Sequence, residues 1–446
     1  MKKNATAYSQ FEPNHPPYPF EQANINILSL NTQILTLRSV FIAVSGIQLA
    51  TAASGTLVPL VFAEIGASQE AASLAAAAYS AGFLIGCFVV SRSIADFGHI
   101  RAFAAASAFA TGGAVLFSTA DSAAFLILLR FITGIATASL FAIGDAWINE
   151  AAEESTRGRV LSIYAMVIGL VAVGSQAMVF ITPDDISEIF SIVSLLYCFS
   201  IIAITTTRND APQTGTKIVL RLKGLFKDSP AAAVGAFVSG VVTTTILSVA
   251  PFNAAKLGVL ATDIAIVIAL IYLGRVLFQY PLGALSDRVD RRKIILIAAS
   301  IASIVLLAMA ILADPDYTAE KFDLFTVGFL IFAIIMVLLG GSLLTLYSIL
   351  VAHALDRSVP VFVSSTAVTM LFVWTIGSLA GPLLAGLITG ILGDPALNWM
   401  NFFCFLAFTL YIAVRTRQTE APAKAEQSRH IAAVTTSAEM VPEQKR

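Results

Sequence analysis

Residues 283–293 read Gly-Ala-Leu-Ser-Asp-Arg-Val-Asp-Arg-Arg-Lys, and six of the last seven side chains are ionisable. Long apolar runs flank them, at about 261–282 and 294–312. So charged a cluster cannot sit in hydrocarbon, and its four basic residues mark a short cytoplasmic loop under the positive-inside rule. A worn copy stands 192 residues earlier, Ser91-Arg-Ser-Ile-Ala-Asp-Phe-Gly-His-Ile-Arg101. The same offset carries Pro59 onto Pro251, Gly66 onto Gly258 and Gly82 onto Gly274. From the fourth apolar run onward the offset is 206, aligning Ser139-Leu-Phe-Ala-Ile143 with Thr345-Leu-Tyr-Ser-Ile349 and Glu150 with Asp356. An insertion near 314–326 absorbs the difference of 14. Any fold for this chain must therefore be built twice.

Composition says in what medium. Of 446 residues, 57% are hydrophobic and 12% charged, whereas a soluble globule carries about 25% charged residues. Apolar runs long enough to cross a bilayer lie at 38–63, 71–91, 101–119, 123–149, 160–181 and 186–206. Six more lie at 230–254, 261–282, 293–313, 325–352, 361–391 and 396–415. The expected fold is an all-α membrane protein, twelve transmembrane helices arranged as two six-helix bundles. Its parts are a disordered tail (1–37), an N-terminal bundle (38–207), a linker (208–229), a C-terminal bundle (230–415) and a second disordered tail (416–446).

Charge placement fixes the expected topology. With both termini cytoplasmic, 23 of the 27 Lys and Arg residues fall on the inner side. The outer loops hold only Lys256 and Lys321, and the last two, Arg130 and Arg275, lie inside spans. That split follows the positive-inside rule, and both halves then start on the same side, as parallel repeats. Cys87, Cys198 and Cys404 fall in apolar runs and read as small buried hydrophobes. No Cys/His cluster has metal-ligand spacing, and no G-x-x-x-x-G-K-[ST] phosphate loop occurs,. No cofactor, metal or nucleic-acid partner is expected. The lipid bilayer is.

The motif Gly283-x-x-x-Asp287-Arg288-x-Asp290-Arg291-Arg292 resembles the loop signature of the major facilitator superfamily, G-x-x-x-D-R-x-G-R-R. Arg130-Phe-Ile-Thr-Gly134-Ile-Ala-Thr-Ala138 resembles that superfamily's fourth-helix motif, and Gly377-x-x-x-Gly381-Pro382 is similar to a Gly-Pro pattern usual in the fifth helix of antiporters. The resemblance covers about 38–415. Asp145-Ala-Trp147-Ile-Asn149 and Arg157-Gly-Arg159 look like a bacterial branch of the superfamily. This sequence departs from the pattern in its first half, where Ser91, Ala95 and Asp96 replace the signature Gly, Asp and Arg. The fifth span carries Gly169-x-x-x-x-Gly174-Ser-Gln176, without the antiporter Gly-Pro. The resemblance implies a secondary transporter of a small solute in the bacterial inner membrane, acting as a monomer by alternating access and coupled to protons. A gradient-driven uniporter is the alternative within transport. An intramembrane enzyme would need a clustered nucleophile, base or metal set, which lone His353 and scattered Ser and Thr do not supply. A sensor on a transporter scaffold would need a signalling extension.

Candidate residues follow in three groups. Gly283, Asp287, Arg288, Arg291 and Arg292 form the expected conformational-switch loop. Arg130, Asp145 and Arg275 are the coupling or gating candidates, since an arginine near mid-bilayer costs about 2.5–3.5 kcal/mol on insertion scales. Asp145 and Arg275 are expected at similar depths and to pair across the halves; His353 reads as a solvated surface residue. Gln48 and Thr51 on the first span, and Thr243, Thr244 and Ser248 at matching depth on the seventh, are substrate-cavity candidates, because those spans line the cavity in the resembled fold. Ser342 and Thr345 on the tenth join them. The pocket they imply is neutral and rich in small residues, suited to a modest polar or zwitterionic solute.

Overall fold

The computed structural model describes residues 19–152, 157–181, 186–206, 220–312 and 327–418. In lipid every backbone N–H and C=O must find its partner inside its own segment, which leaves the helix as the solution for runs of this composition. The N-terminal half consists of α1 (Pro19–Glu64), α2 (Gln69–Phe97), α3 (His99–Phe117), α4 (Ala123–Ala151), α5 (Arg157–Ser175, prolonged by a 3-10 turn Gln176–Phe180) and α6 (Ile186–Thr205). The C-terminal half consists of α7 (Pro230–Lys256), α8 (Ala261–Arg288), α9 (Arg291–Leu312), α10 (Val327–Asp356), α11 (Val363–Leu392) and α12 (Ala396–Gln418). A π turn at Thr245–Val249 interrupts α7, just before Pro251. All twelve are long and apolar enough to cross a membrane. The end of the bundle carrying the α8–α9 turn is called the basic end below.

Helix α1 starts within the stretch expected to be disordered up to residue 37. Ile27, Leu28, Ile34 and Leu35 recur at a seven-residue helical spacing, which the surrounding Asn and Gln obscure in composition. Residues 1–18 and 419–446 of the two expected tails, 208–219 of the linker and the insertion at 314–326 lie outside the described residues. The rest of the linker is not a plain coil: Leu222–Asp228 forms a short helix that buries Leu225. Just ahead of it, the Arg221 guanidinium lies 3.5 Å from the centre of the Phe362 ring, and the Arg221 backbone N–H donates to Thr369 Oγ1.

Packing repeats as the sequence does. In the first half α1 meets α4, α5 and α6, α2 meets α4, and α3 meets α4 and α6; in the second, α7 meets α10, α11 and α12, α8 meets α10, and α9 meets α10 and α12. Every pair has its counterpart six helices on. The tightest counterparts rest on glycine. A Cβ at Gly82 would lie 2.0 Å from the Phe131 carbonyl oxygen, and one at Gly274 would lie 2.1 Å from that of Val337. On the facing helices, a Cβ at Gly134 would lie 2.3 Å from the Tyr79 oxygen and one at Gly340 1.8 Å from the Ile271 oxygen. These partners are related by the offsets of 192 and 206, so one interlock is built twice. Without a hydrophobic force between helices in lipid, such close backbone approach holds a pair together. Between the halves α2 packs on α11 and α5 on α8, again a symmetric pair of contacts.

Gly134→Ala and Gly340→Ala should each cost about 1–3 kcal/mol or more, since the methyl meets backbone that cannot move aside. Thermal unfolding of the purified variants in detergent should show both melting below the parent. Gly112→Ala, where an added Cβ meets nothing within 4 Å, should melt at or above it.

Candidate functional site

A cavity of about 250 Å³ lies where the two halves face each other. It is lined from both sides, by α1, α2 and α4 of the first half and α7, α8, α10 and α11 of the second. Five of the seven substrate candidates are on its wall: Gln48, Thr51, Thr243, Thr244 and Ser248. Ser342 and Thr345 are not. Both are buried with their hydroxyls turned back onto α10, Ser342 donating to the Leu338 and Leu339 carbonyls and Thr345 to that of Gly341. The face of α10 that reaches the cavity carries Leu343, Leu344, Tyr347 and Ser348. In an apolar helix with few polar side chains the phase is hard to read, and a small hydroxyl can satisfy itself on the preceding turn.

The wall is less neutral than the polar candidates alone imply. Arg130 and Arg275 both line it, and no Asp or Glu does among the described residues. Tyr79, Phe83, Phe141, Tyr272, Tyr347 and Trp374 supply aromatic surface, and the Tyr347 and Trp374 rings sit 5.9 Å apart. Arg130 lies with its guanidinium carbon 4.1 Å from the centre of the Tyr79 ring. Its Nε is buried without a hydrogen-bond partner. Behind it is a second space of about 20 Å³ bordered by Thr51, Thr133, Thr137 and Tyr197, roughly one water in size. Arg275 Nε donates to Gln279 Oε1 one turn along α8, at 3.4 Å. Across the halves, the Ser80 and Ser378 hydroxyls share a hydrogen bond at 2.8 Å, and within the second half Thr244 Oγ1 donates to Ser378 Oγ at 2.7 Å.

Asp145 lies off the cavity. It is 4% exposed and accepts a hydrogen bond of 2.7 Å from the Tyr164 hydroxyl, while its Oδ2 is buried without a partner. The expected pairing of Asp145 with Arg275 is absent: no ion pair joins them among the described residues. Depth explains it. Helix α8 does not end near residue 282 but continues to Arg288, which sets Arg275 about 20 Å from the basic end at 1.5 Å per residue. Asp145, six residues from the end of α4, is only about 9 Å from it.

The charged stretch 283–293 is also not the loop it resembles. Gly283–Arg288 are helical, Arg291 and Arg292 open α9, and only Val289 and Asp290 lie between. Arg291 is 1% exposed; its Nε donates to Asp356 Oδ2 at 2.6 Å and its Nη1 to Ser286 Oγ and Asp287 Oδ1, both at 3.1 Å. One guanidinium thus ties together the ends of α8, α9 and α10. Arg292 closes a second pair onto Asp290, at 2.8 Å. Burial works to raise the Asp290 carboxyl, but the side-chain and backbone hydrogen bonds from Arg292 and its charge outweigh burial and hold it below the ordinary value. His353, on the last turn of α10, is buried at 4% exposure rather than solvated. Cys198 departs in the other direction and is exposed, while Cys87 is buried and Cys404 half-buried.

The sequence matches the Major Facilitator Superfamily over residues 40–229 and 232–441. The chain belongs to that superfamily and is one of its membrane transporters. An uncharacterized MFS-type transporter of Enterobacter sp. (strain 638) is 24% identical over 342 residues, 75% of this chain and 84% of its own. The uncharacterized MFS-type transporter YcaD of Salmonella typhi is 23% identical over 376 residues, covering 84% and 94%. Among solved structures, the nucleoside transporter NupG superposes with a TM-score of 0.67 at 12% identity, over 85% of this chain and 99% of that one, and its D323A mutant with 0.68 at 11%, over 84% and 98%. At that identity the likeness is one of fold.

Removing one partner of the buried pair leaves the other charge stranded, a loss of about 3–5 kcal/mol. Arg291→Met should therefore lower the melting temperature sharply, and Arg291→Met with Asp356→Leu should recover much of it. Equal melting of the single variant and the parent would show that the pair does not hold this end together.

Proposed function

We propose that this transporter moves a small solute through the interface cavity by alternating access of its two halves, with protons as the coupling ion. The observation that carries the reading is the cavity itself: it is walled by both halves and buried among spans. Rocking of one half on the other along α2–α11 and α5–α8 would open it first to one side and then to the other. The uneven distribution of Lys and Arg supports a basic end in the cytoplasm of a bacterial cell, both termini with it, and the protein in the inner membrane. A cavity complete within one chain supports action as a monomer. Asp287, Arg288, Arg291 and Arg292, grouped with Gly283 at the junction of α8, α9 and α10, act in this reading as the rigid heel on which the second half turns.

Asp145 is the proton site in this reading. A buried carboxylate that has, among the described residues, one neutral donor, an orphan oxygen and no cation within ion-pair distance can take up and release a proton without disturbing a neighbouring pair. Its distance from the cavity wall favours a second reading, a uniporter whose solute moves down its own gradient.

Electron–electron resonance distances separate the two without knowledge of the solute. Spin labels at Phe97 and Val361 report the basic end, and labels at Thr119 and Leu257 the opposite end; all four positions are exposed. Alternating access predicts two populations at each end, one pair widening as the other closes. Proton coupling predicts that pH shifts the populations and that Asp145→Asn abolishes the shift. One fixed distance at both ends would overturn the mechanism; exchange indifferent to pH would leave the uniporter.

A further inference from the structure

We infer that the cavity binds a small organic carboxylate with a flat apolar body, drawn in by the positive charge of Arg130 and Arg275. This rests on the cavity being the solute site and adds the chemical class of its occupant.

The argument begins with charge. Arg130 is 6% exposed, and no carboxylate lies within ion-pair distance of it among the described residues. Buried charges are ordinarily paired, and elsewhere in this protein Arg291 and Arg292 are. The Tyr79 ring answers only part of the need. A ring attracts the guanidinium through its face, whereas the N–H donors lie in the guanidinium plane and stay available, as the unpartnered Nε shows. Arg275 adds a second cation to the same wall, held to its own helix by one long hydrogen bond to Gln279. From the helix ends, Arg130 lies seven residues and Arg275 fourteen from the end opposite the basic one. They differ in depth by about 10 Å at 1.5 Å per residue. Two cations spaced along one cavity without a carboxylate on the wall make a positive site, and the planar guanidinium fork matches a carboxylate best.

The rest of the wall describes the body of the solute. Tyr79, Phe83, Tyr272, Tyr347 and Trp374 offer ring faces and edges, so a flat apolar group gains stacking contacts there. The volume of about 250 Å³ suits a compact molecule. Thr51, Thr243 and Ser248 would meet its polar edges.

The test is thermal stabilisation of the purified full chain in detergent by benzoate, phenylacetate and indole-3-acetate. Controls are benzamide, benzylammonium and potassium chloride at equal concentration. At least one carboxylate is expected to raise the melting temperature and to quench tryptophan fluorescence, with the quench lost in Trp374→Phe. Benzamide, benzylammonium and chloride should do neither. Arg130→Gln or Arg275→Gln, whichever removes the pairing guanidinium, should weaken the bound carboxylate about tenfold or more, the loss of a charge-assisted contact, with a smaller loss in the other variant and in Arg130→Lys. The inference fails if no carboxylate binds, if benzamide or chloride acts equally, or if both arginine variants that still melt cooperatively bind as the parent does. The comparison of benzoate with benzamide on the parent protein needs no variant to fold. Carboxylate binding without exchange between distance populations would overturn alternating access and leave this inference standing; the reverse outcome would do the opposite.

Discussion

Helices in a bilayer gain no hydrophobic drive from packing on one another, so what holds them is how closely their backbones approach. Here that approach is secured at Gly82 and Gly134 between α2 and α4, and again at Gly274 and Gly340 between α8 and α10. Each interlock makes two helices into one stiff unit. The remaining helices of each half pack around those units in matching order, and the contact between halves falls mainly to α2 on α11 and α5 on α8, with α1 also meeting α7. A cavity survives at that contact because the closest packing has been spent inside the halves.

Charge is distributed under the same constraint. An apolar chain can keep an ionised group in its interior only if something compensates for lost water. At the basic end the compensation for Arg291 is direct: it is shared by Asp287 and Asp356. In the first half His99 stands where Arg291 does in the second, and Glu150 where Asp356 does, with His99 buried edge-on to Trp147. The guanidinium of one half is thus replaced in its copy by an imidazole against an indole ring. Deeper in, Arg130 has a ring and Asp145 a hydroxyl, compensation of a weaker kind.

The sequence makes the frame legible and the cavity only partly so, for physical reasons. The twelve spans and the duplication could be read because length, hydropathy and repeated glycines each record them independently. Gln48, Thr51, Thr243, Thr244 and Ser248 could be found because polar residues at helical spacing stand out in apolar spans. Ser342 and Thr345 looked the same and were misplaced, because a hydroxyl bonded to its own helix is indistinguishable in sequence from one facing a cavity. The aromatic wall was missed: in a chain with 30 Phe and 10 Tyr, rings at helical spacing ordinarily mean core. One signal existed, since Phe141 and Tyr347 are related by the offset of 206 and both reach the cavity. The depth of Arg275 is misread from the sequence because Asp287 and Arg288 suggest a loop opening at Gly283, whereas the helix continues to Arg288.

The duplication also separates what the frame requires from what it does not. The offset of 206 sets Arg130 against Met336, which is 1% exposed. The offset of 192 sets Arg275 against Phe83, on the cavity wall. Each arginine therefore occupies a place that an apolar side chain fills in the other half, with the same helix pairs packed around it. Thr51 and Thr243, by contrast, are alike in both halves and both face the cavity. The folded frame needs small polar residues or none on this wall, and it has no need of a cation in either place. The cost of placing two guanidinium groups there is offset only in part, by the Tyr79 ring and by Gln279, and an anion entering the cavity would supply the rest.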